Sequence, residues 1–345
     1  MTELIRTLIV DDSAFVRKVV REMLSRSPYI EVVGAARDGR EALEMAHDLH
    51  PDVITCDLMM PRLDGVGFVR EQMSRQPLPI LILTSSPQDG GLALEALEAG
   101  AVDFIQKPSA LATNEIQNIR DDLVEKVKAA ARAPVVQLAI PNGAHRVIPD
   151  FKPRDLKVDI VLIGISTGGP QALRKLIPQF PADFPVPIAM VLHMPTGYTK
   201  AYAQKLDEVS QITVKEAREG DSLQPGVALL AQAGRHLTLR RAAGGHVIAQ
   251  LSMQPFDALH RPSVDVLFQS AAELYHQRVL GVVMTGMGND GTQGAAWIKS
   301  QGGIILTEAE ESCVIYGMPR AVVESGSSDL AVPLQGMAKA IIDRL

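Results

Sequence analysis

Short apolar runs recur along the first third of the chain: TLIV at 7–10, EVVGAA at 31–36, DVITC at 52–56, ILILT at 80–84 and DFIQ at 103–106. Each is set off from the next by a segment with helical spacing. Runs of this length predict buried strands, and strands alternating with helices predict a parallel sheet covered on both faces. Residues 114–132 then predict a helix, because Ile116, Ile119, Leu123 and Val127 share one face. The stretch ARAPVVQLAIPNGAHRVIPDFKPRDLK follows with four prolines and little periodicity. It reads as an interdomain linker, and its Val135, Val136, Leu138 and Ile140 imply that it packs rather than swings as a free tether.

From residue 158 a second alternation begins, with strands expected at 159–165, 186–192, 279–284 and 303–307 and helices between several of them. A set of short strands over about 212–251, turning at RRAAGGH, reads as an insertion. The expected architecture is therefore two doubly wound α/β domains: an N-terminal (βα)5 unit over 1–132 and a C-terminal three-layer α/β unit over 157–345, joined by a linker over 133–156. The chain has no internal repeat or low-complexity tract.

Composition narrows the function classes. At 345 residues the chain is long for one hydrophobic core, and 46% hydrophobic with 21% charged residues suits two globular domains. A net charge of −6 argues against a nucleic-acid grip. No apolar run is long enough to span a membrane, and the start MTELIRTLIVDDS has too short an apolar stretch for a signal peptide. Two distant cysteines, Cys56 and Cys313, suggest neither a disulfide framework nor a zinc site, so a cytoplasmic location is expected.

In the first domain, polar residues collect where strands end. Asp11 and Asp12 follow the first strand, Asp57 the third, Thr84 the fourth and Lys107 the fifth. The carboxyl ends of parallel strands share one edge, where ligands bind. Three carboxylates there need a cation, and an all-oxygen set suits Mg²⁺. Lys107 supplies a fixed positive charge and Thr84 a hydrogen bond for an incoming phosphoryl group. Singly, each has an ordinary explanation, since Asp is common after strands and a Lys before proline can be a solvated loop residue. The motifs LIVDDS, VITCDLMMPRLDG, ILTSS and DFIQKP together resemble the receiver domain of two-component response regulators, over nearly all of residues 4–108. That resemblance implies that Asp57 is phosphorylated by a histidine kinase. It also implies that Asp11, Asp12, Asp57 and the Met59 carbonyl bind Mg²⁺, that Lys107 pairs with the phosphoryl group, and that Thr84 and Phe104 form the switch pair.

In the second domain, VDIVLIGISTGGP reads as a strand running into a Gly-x-Ser-x-Gly turn at Ser166, with Pro170 in the first turn of the next helix. The turn either caps a helix or exposes a nucleophile near a helix N-terminus, where an oxyanion is favoured. A nucleophile needs a base, and among eight histidines only His193, in IAMVLHMP, stands at the end of a core strand of this domain. A structural, hydrogen-bonded histidine is the alternative. Asp290, in VVMTGMGNDG, follows another core strand and can orient the imidazole; the rival, Asp265, reads as a first-turn helix residue. GMGNDG is also a Gly-x-Gly-x-x-Gly element, with Glu308 placed like a ribose-binding acid, so nucleotide binding competes. Against it, the motif comes late in the domain and Asp290 would crowd a pyrophosphate.

IGISTGGPQAL, LHMPTGYTKAYAQKLD, RPSVDVLF and GVVMTGMGNDGTQGA resemble the catalytic domain of the chemotaxis protein-glutamate methylesterases (the CheB family) over about 157–345. The resemblance implies a phosphorylation-regulated serine hydrolase acting on γ-glutamyl methyl esters, and on selected glutamines, of methyl-accepting chemoreceptors. Ser166 would be the nucleophile, His193 the base and acid, Asp290 the orienting carboxylate and the Met287 backbone part of the oxyanion site, with no cofactor. AQAGRH departs from the family pattern, which usually has a proline and a further glycine there. The unphosphorylated receiver is expected to lie against the mouth of the esterase site. A non-catalytic receptor-binding adaptor is the remaining alternative.

Overall fold

The computed structural model describes residues 4–85, 90–107, 113–133 and 157–345, with side chains of the 113–130 helix described from residue 120 onward. All of the expected linker but residue 133 lies outside the described residues, as do the side chains of Ile116 and Ile119. Two compact units are formed, Met1–Asn142 and Gly143–Leu345.

In the first unit, β1 (Ile5–Val10), α1 (Ala14–Leu24), β2 (Ile30–Ala36), α2 (Gly39–Leu49), β3 (Val53–Asp57), α3 (Gly65–Arg75), β4 (Ile80–Thr84), α4 (Gly90–Ala99), β5 (Asp103–Gln106) and α5 (Thr113–Ala130) alternate along the chain. The strands form a parallel sheet in the order β2-β1-β3-β4-β5. β3 and β4 are buried at every residue, because helices cover both faces. Three helices begin on side-chain caps: Ser13 accepts from the Val16 N–H, Asp38 from those of Arg40 and Glu41, and Asp64 from that of Gly67. Leu123 and Val127 of α5 are buried, and its Lys126 ammonium lies 3.1 Å from Asp103 Oδ2.

The second unit comprises β6 (Ile160–Ile165), α6 (Gly169–Leu176), β7 (Ile188–Leu192), α7 (Thr199–Glu208), β8 (Thr213–Glu216), β9 (Val227–Leu230), β10 (His236–Arg241), β11 (Val247–Ser252), α8 (Val264–Tyr275), β12 (Val279–Val283), α9 (Thr292–Ser300), β13 (Ile304–Glu308), α10 (Met318–Glu324), β14 (Leu330–Val332) and α11 (Leu334–Ile342). Seven strands make one parallel sheet, β14-β13-β12-β6-β7-β9-β8, and β10 pairs with β11 in a separate antiparallel hairpin. The short strands expected over 212–251 are present: β10 and β11 form the hairpin, and β8 and β9 extend the main sheet. Ile188 of β7 pairs with Ala228 of β9, a partnership set by tertiary contact rather than by any pattern inside a four-residue strand. The edge strand β14 is only three residues, LAV, exposed at two positions, too short an apolar run to be read as a strand.

The chain leaves β6 toward β7 on one side and returns to β12 on the other. The order reverses at β6, so a crevice opens beyond its carboxyl end. α8 closes the sheet behind that crevice, with Leu267, Phe268, Ala271 and Ala272 fully buried. Burying a Phe side chain contributes roughly 1.5–3 kcal/mol. α8 crosses so near β6 that a Cβ on Gly164 would stand 2.3 Å from Val264 Cγ1. Gly164→Ala is therefore expected to lower stability in urea unfolding by about 1–3 kcal/mol, and Val264→Ala in the same chain should recover part of that loss. Equal midpoints for Gly164→Ala and wild type would contradict this packing.

Candidate functional site

Each unit presents polar side chains at the carboxyl edge of its sheet. In the first, Lys107 Nζ lies 2.8 Å from Asp11 Oδ2 and 2.8 Å from Asp57 Oδ1. Asp11 and Asp57 are buried and Asp12 is exposed, and one carboxylate oxygen from each of the three lies within 4.8 Å of the others. Burial pushes the Asp57 carboxyl upward, only partly offset by Lys107 and by the Met59 backbone N–H, while neighbouring Asp11 pushes the same way. Burial alone would lower the Lys107 pKa, but its bonds to Asp11 and Asp57 raise it. The pocket thus has more negative charge than one ammonium balances, and its donors are all oxygen, which fits a small hard divalent cation. Thr84 ends β4, its carbonyl accepting the Lys107 N–H at 2.7 Å; Phe104 is buried in β5, and the Met59 side chain is exposed.

In the second unit, Ser166 is the first residue past β6. Gly168 has φ +80°, a left-handed conformation that lets the chain fold back into α6, and Pro170 stands in the first turn. The Ser166 N–H donates to the Thr285 carbonyl at 3.0 Å, and the Ser166 carbonyl accepts from Gly169 at 2.7 Å. Ile165, just before it, pairs with Leu192 across β6 and β7, so Ser166 and His193 leave neighbouring strands side by side. The His193 N–H closes this edge by donating to the Ile165 carbonyl at 3.1 Å.

His193 Nε2 lies 2.8 Å from Asp290 Oδ2, which brings together two residues 97 positions apart. The other ring nitrogen, Nδ1, is buried and has no hydrogen-bond partner among the described residues. Asp290 accepts three further bonds: Ser263 Oγ at 2.8 Å, the Val264 N–H at 2.7 Å and the Asp265 N–H at 3.0 Å. Burial would raise the Asp290 pKa, but the bond to His193 and these backbone donors at the start of α8 hold it well below the usual carboxylate range. A charged carboxylate on Nε2 keeps the ring proton there and leaves Nδ1 as a lone pair. The assignment is the reverse of the familiar serine-protease arrangement, in which Nε2 faces the serine. Asp265 stands in the first turn of α8 and donates nothing to His193; its carboxylate accepts from Gly294 at 2.7 Å, capping α9. Burial and nearby Asp290 push its pKa up to about 6.

Comparison with known proteins accords with this geometry. Residues 161–341 match the sequence model of the family described as CheB methylesterase, and residues 7–118 that of the response regulator receiver domain. A Myxococcus xanthus protein named protein-glutamate methylesterase/protein-glutamine glutaminase 5 is 47% identical over 338 residues, 96% of each chain. The chain belongs to the CheB methylesterase family. A Symbiobacterium thermophilum protein named protein-glutamate methylesterase/protein-glutamine glutaminase is 44% identical, over 98% of this chain and 96% of its own. The crystal structure of the Thermotoga maritima CheB methylesterase catalytic domain superposes with a TM-score of 0.53 at 41% identity, covering 55% of this chain and 99% of that one.

Within the methylesterase unit, the loop 285–291 holds both Asp290 and the expected oxyanion residue. The Met287 N–H goes to no acceptor among the described residues, while its neighbour Gly286 bonds to Ile315, Gly317 and Met318. A Cβ on Gly286 would meet Ser166 Cβ at 2.7 Å, so the loop passes directly over the serine. Glu308, the would-be ribose acid, is fully buried and accepts from the Thr285 N–H and Ser312 Oγ, each at 2.9 Å. It is committed to holding the loop, which removes the main support for the nucleotide reading.

Two contributors escaped the sequence reading. Ser263, legible as the cap of α8, also bonds Asp290 across 27 positions. Thr285 gave no signal. Its Oγ1 donates to the Thr167 carbonyl at 3.0 Å and accepts from the Ile315 N–H at 3.0 Å, while its own carbonyl takes the Ser166 N–H. Thr285→Val keeps the shape and strands buried polar groups, so it should cost about 1–3 kcal/mol in urea unfolding. Thr285→Ser, which keeps the hydroxyl, should cost less. Equal losses for the two would assign the effect to packing.

Proposed function

We propose that this protein is a phosphorylation-regulated serine hydrolase that removes methyl groups from γ-glutamyl methyl esters of chemoreceptors. The observation that carries the reading is the buried His193 imidazole, bound to Asp290 through Nε2 with Nδ1 unpartnered among the described residues, one strand away from Ser166. In the reaction, Nδ1 takes the proton as Ser166 Oγ bonds to the ester carbonyl carbon. The Met287 N–H and the start of α6 face the developing oxyanion. The acyl–oxygen bond breaks, and His193 returns the proton to departing methanol. Water, deprotonated by His193, then frees glutamate and Ser166. An amide in place of the ester releases ammonia by the same route, which is the glutaminase activity carried in the relatives' names. Every step uses side chains and backbone of this chain, so the hydrolysis needs no cofactor.

The first unit is the control element. Asp57 accepts a phosphoryl group from a histidine kinase. Asp11, Asp12, Asp57 and the Met59 carbonyl would hold Mg²⁺, which when bound neutralises charge on the transferring phosphoryl group. Lys107 pairs with its oxygens, and Thr84 and Phe104 report the change as switch residues. The functional division is a receiver over 1–132, a linker over 133–156 and a hydrolase over 157–345. No described helix is long and apolar enough to cross a membrane, in keeping with a cytoplasmic enzyme that meets the cytoplasmic part of its receptors.

Two measurements test the proposal. Methylated receptor membranes mixed with the wild-type chain should release methanol, and Ser166→Ala should cut the rate by about 10³-fold or more; comparable release by the variant would refute a serine mechanism. Adding a small acyl phosphate with Mg²⁺ should raise methanol release by wild type and not by Asp57→Ala. A rise that persists in Asp57→Ala would place control elsewhere.

A further inference from the structure

Among the described residues, hydrogen bonding holds the His193 side chain at one atom only, Nε2 on Asp290. A planar ring tied at one point still swings about χ2, a broad torsion, and the swing carries Nδ1 away from any line to a hydroxyl. The plane of the ring needs a second constraint. The imidazole of His260 lies against it, with centroids 4.2 Å apart and planes 23° from parallel. Such a stack fixes orientation without using either nitrogen of His193.

His260 is carried by the segment between β11 and α8, and one fully buried imidazole fastens that segment at two places. His236 Nε2 donates to the Pro255 carbonyl at 3.1 Å, and its Nδ1 accepts the Ser263 N–H at 3.3 Å. A single neutral tautomer makes both bonds. Burial and then Arg261 oppose protonation of His236, against a smaller pull from the Pro255 carbonyl and Asp290, so the net shift favours that neutral form. Ser263 in turn donates to Asp290. The segment that lays His260 on His193 is thus anchored at the same residue that holds the partner carboxylate.

We propose that His260 is a positioning residue: its ring fixes the plane of His193 so that Nδ1 is aimed at the Ser166 hydroxyl. The role requires that Ser166 be the nucleophile, as in the reading above. His260 also lines a cleft of about 490 Å³ with Leu259, Asp290 and Trp297, so direct contact with substrate is the competing role.

The test is steady-state methanol release from methylated receptor membranes by the full-length chain. His260 is half-buried on a loop, and replacing it leaves the core intact. His260→Ala should lower kcat on the order of 10- to 100-fold with KM little changed. His260→Phe keeps a flat face and should restore most of kcat. Unchanged kcat in His260→Ala would overturn the proposal. So would a loss confined to KM, which makes His260 a wall of the substrate cleft, or a Phe variant as slow as Ala, which makes the ring nitrogens essential. If wild type itself releases no methanol, the esterase reading fails; if wild type releases it and His260→Ala matches, only the role of His260 fails.

Discussion

A carboxylate taken out of water has to be surrounded by donors, and Asp290 collects four: one imidazole nitrogen, one hydroxyl and two backbone N–H groups. Three of them belong to the first residues of α8 and its cap, so the carboxylate also meets the positive end of a helix. Removing one member of such a buried set typically costs about 3–5 kcal/mol, because the others are left unpaired. This arrangement locks the loop after β12 to the start of α8 and to the end of β7. In the proposed reaction it also decides which imidazole nitrogen is basic. Stability and chemistry rest on the same oxygen atoms.

The sheet topology supplies the meeting place. β7, β6 and β12 are adjacent and parallel, so the residues that follow them emerge along one edge in the order His193, Ser166, loop 285–291. Two close approaches hold that edge: Gly164 lets α8 lie on β6, and Gly286 lets the loop lie on Ser166. The receiver uses the same geometric rule for the opposite electrostatic purpose. There, carboxylates gather around one lysine with charge left over for a cation, whereas in the hydrolase unit a single carboxylate is fully matched by donors.

Positions at strand ends were readable from the sequence because the strands themselves are continuous apolar runs, and counting to the first polar residue gives the edge. That is how Ser166 and His193, and in the receiver Asp11, Asp57 and Thr84, could be picked out; Asp290 and Lys107 are not the first polar residues after their strands and were picked out as members of the loops that follow them. Asp265 was separable from Asp290 because its place in a first helical turn is a local pattern. What could not be read is held by contacts remote in sequence. Thr285 is an unremarkable polar residue until Thr167, Ile315 and Ser166 fold around it. His236 looks like one more strand histidine until Pro255 and Ser263 close on its two nitrogens. Strands β8 and β9 are four residues each, and only the pairing of β9 with β7 and of β8 with β9 joins them to the main sheet.

The central claim is that a charged Asp290 keeps the proton on His193 Nε2 and so leaves Nδ1 to act as the base. Asp290→Asn tests it most directly, since the amide keeps the size of the side chain and removes its charge. Methanol release from methylated receptor membranes should fall by about 10³- to 10⁴-fold while the far-ultraviolet circular dichroism of the folded chain is retained. A folded Asp290→Asn chain that works within about tenfold of wild type would contradict the account.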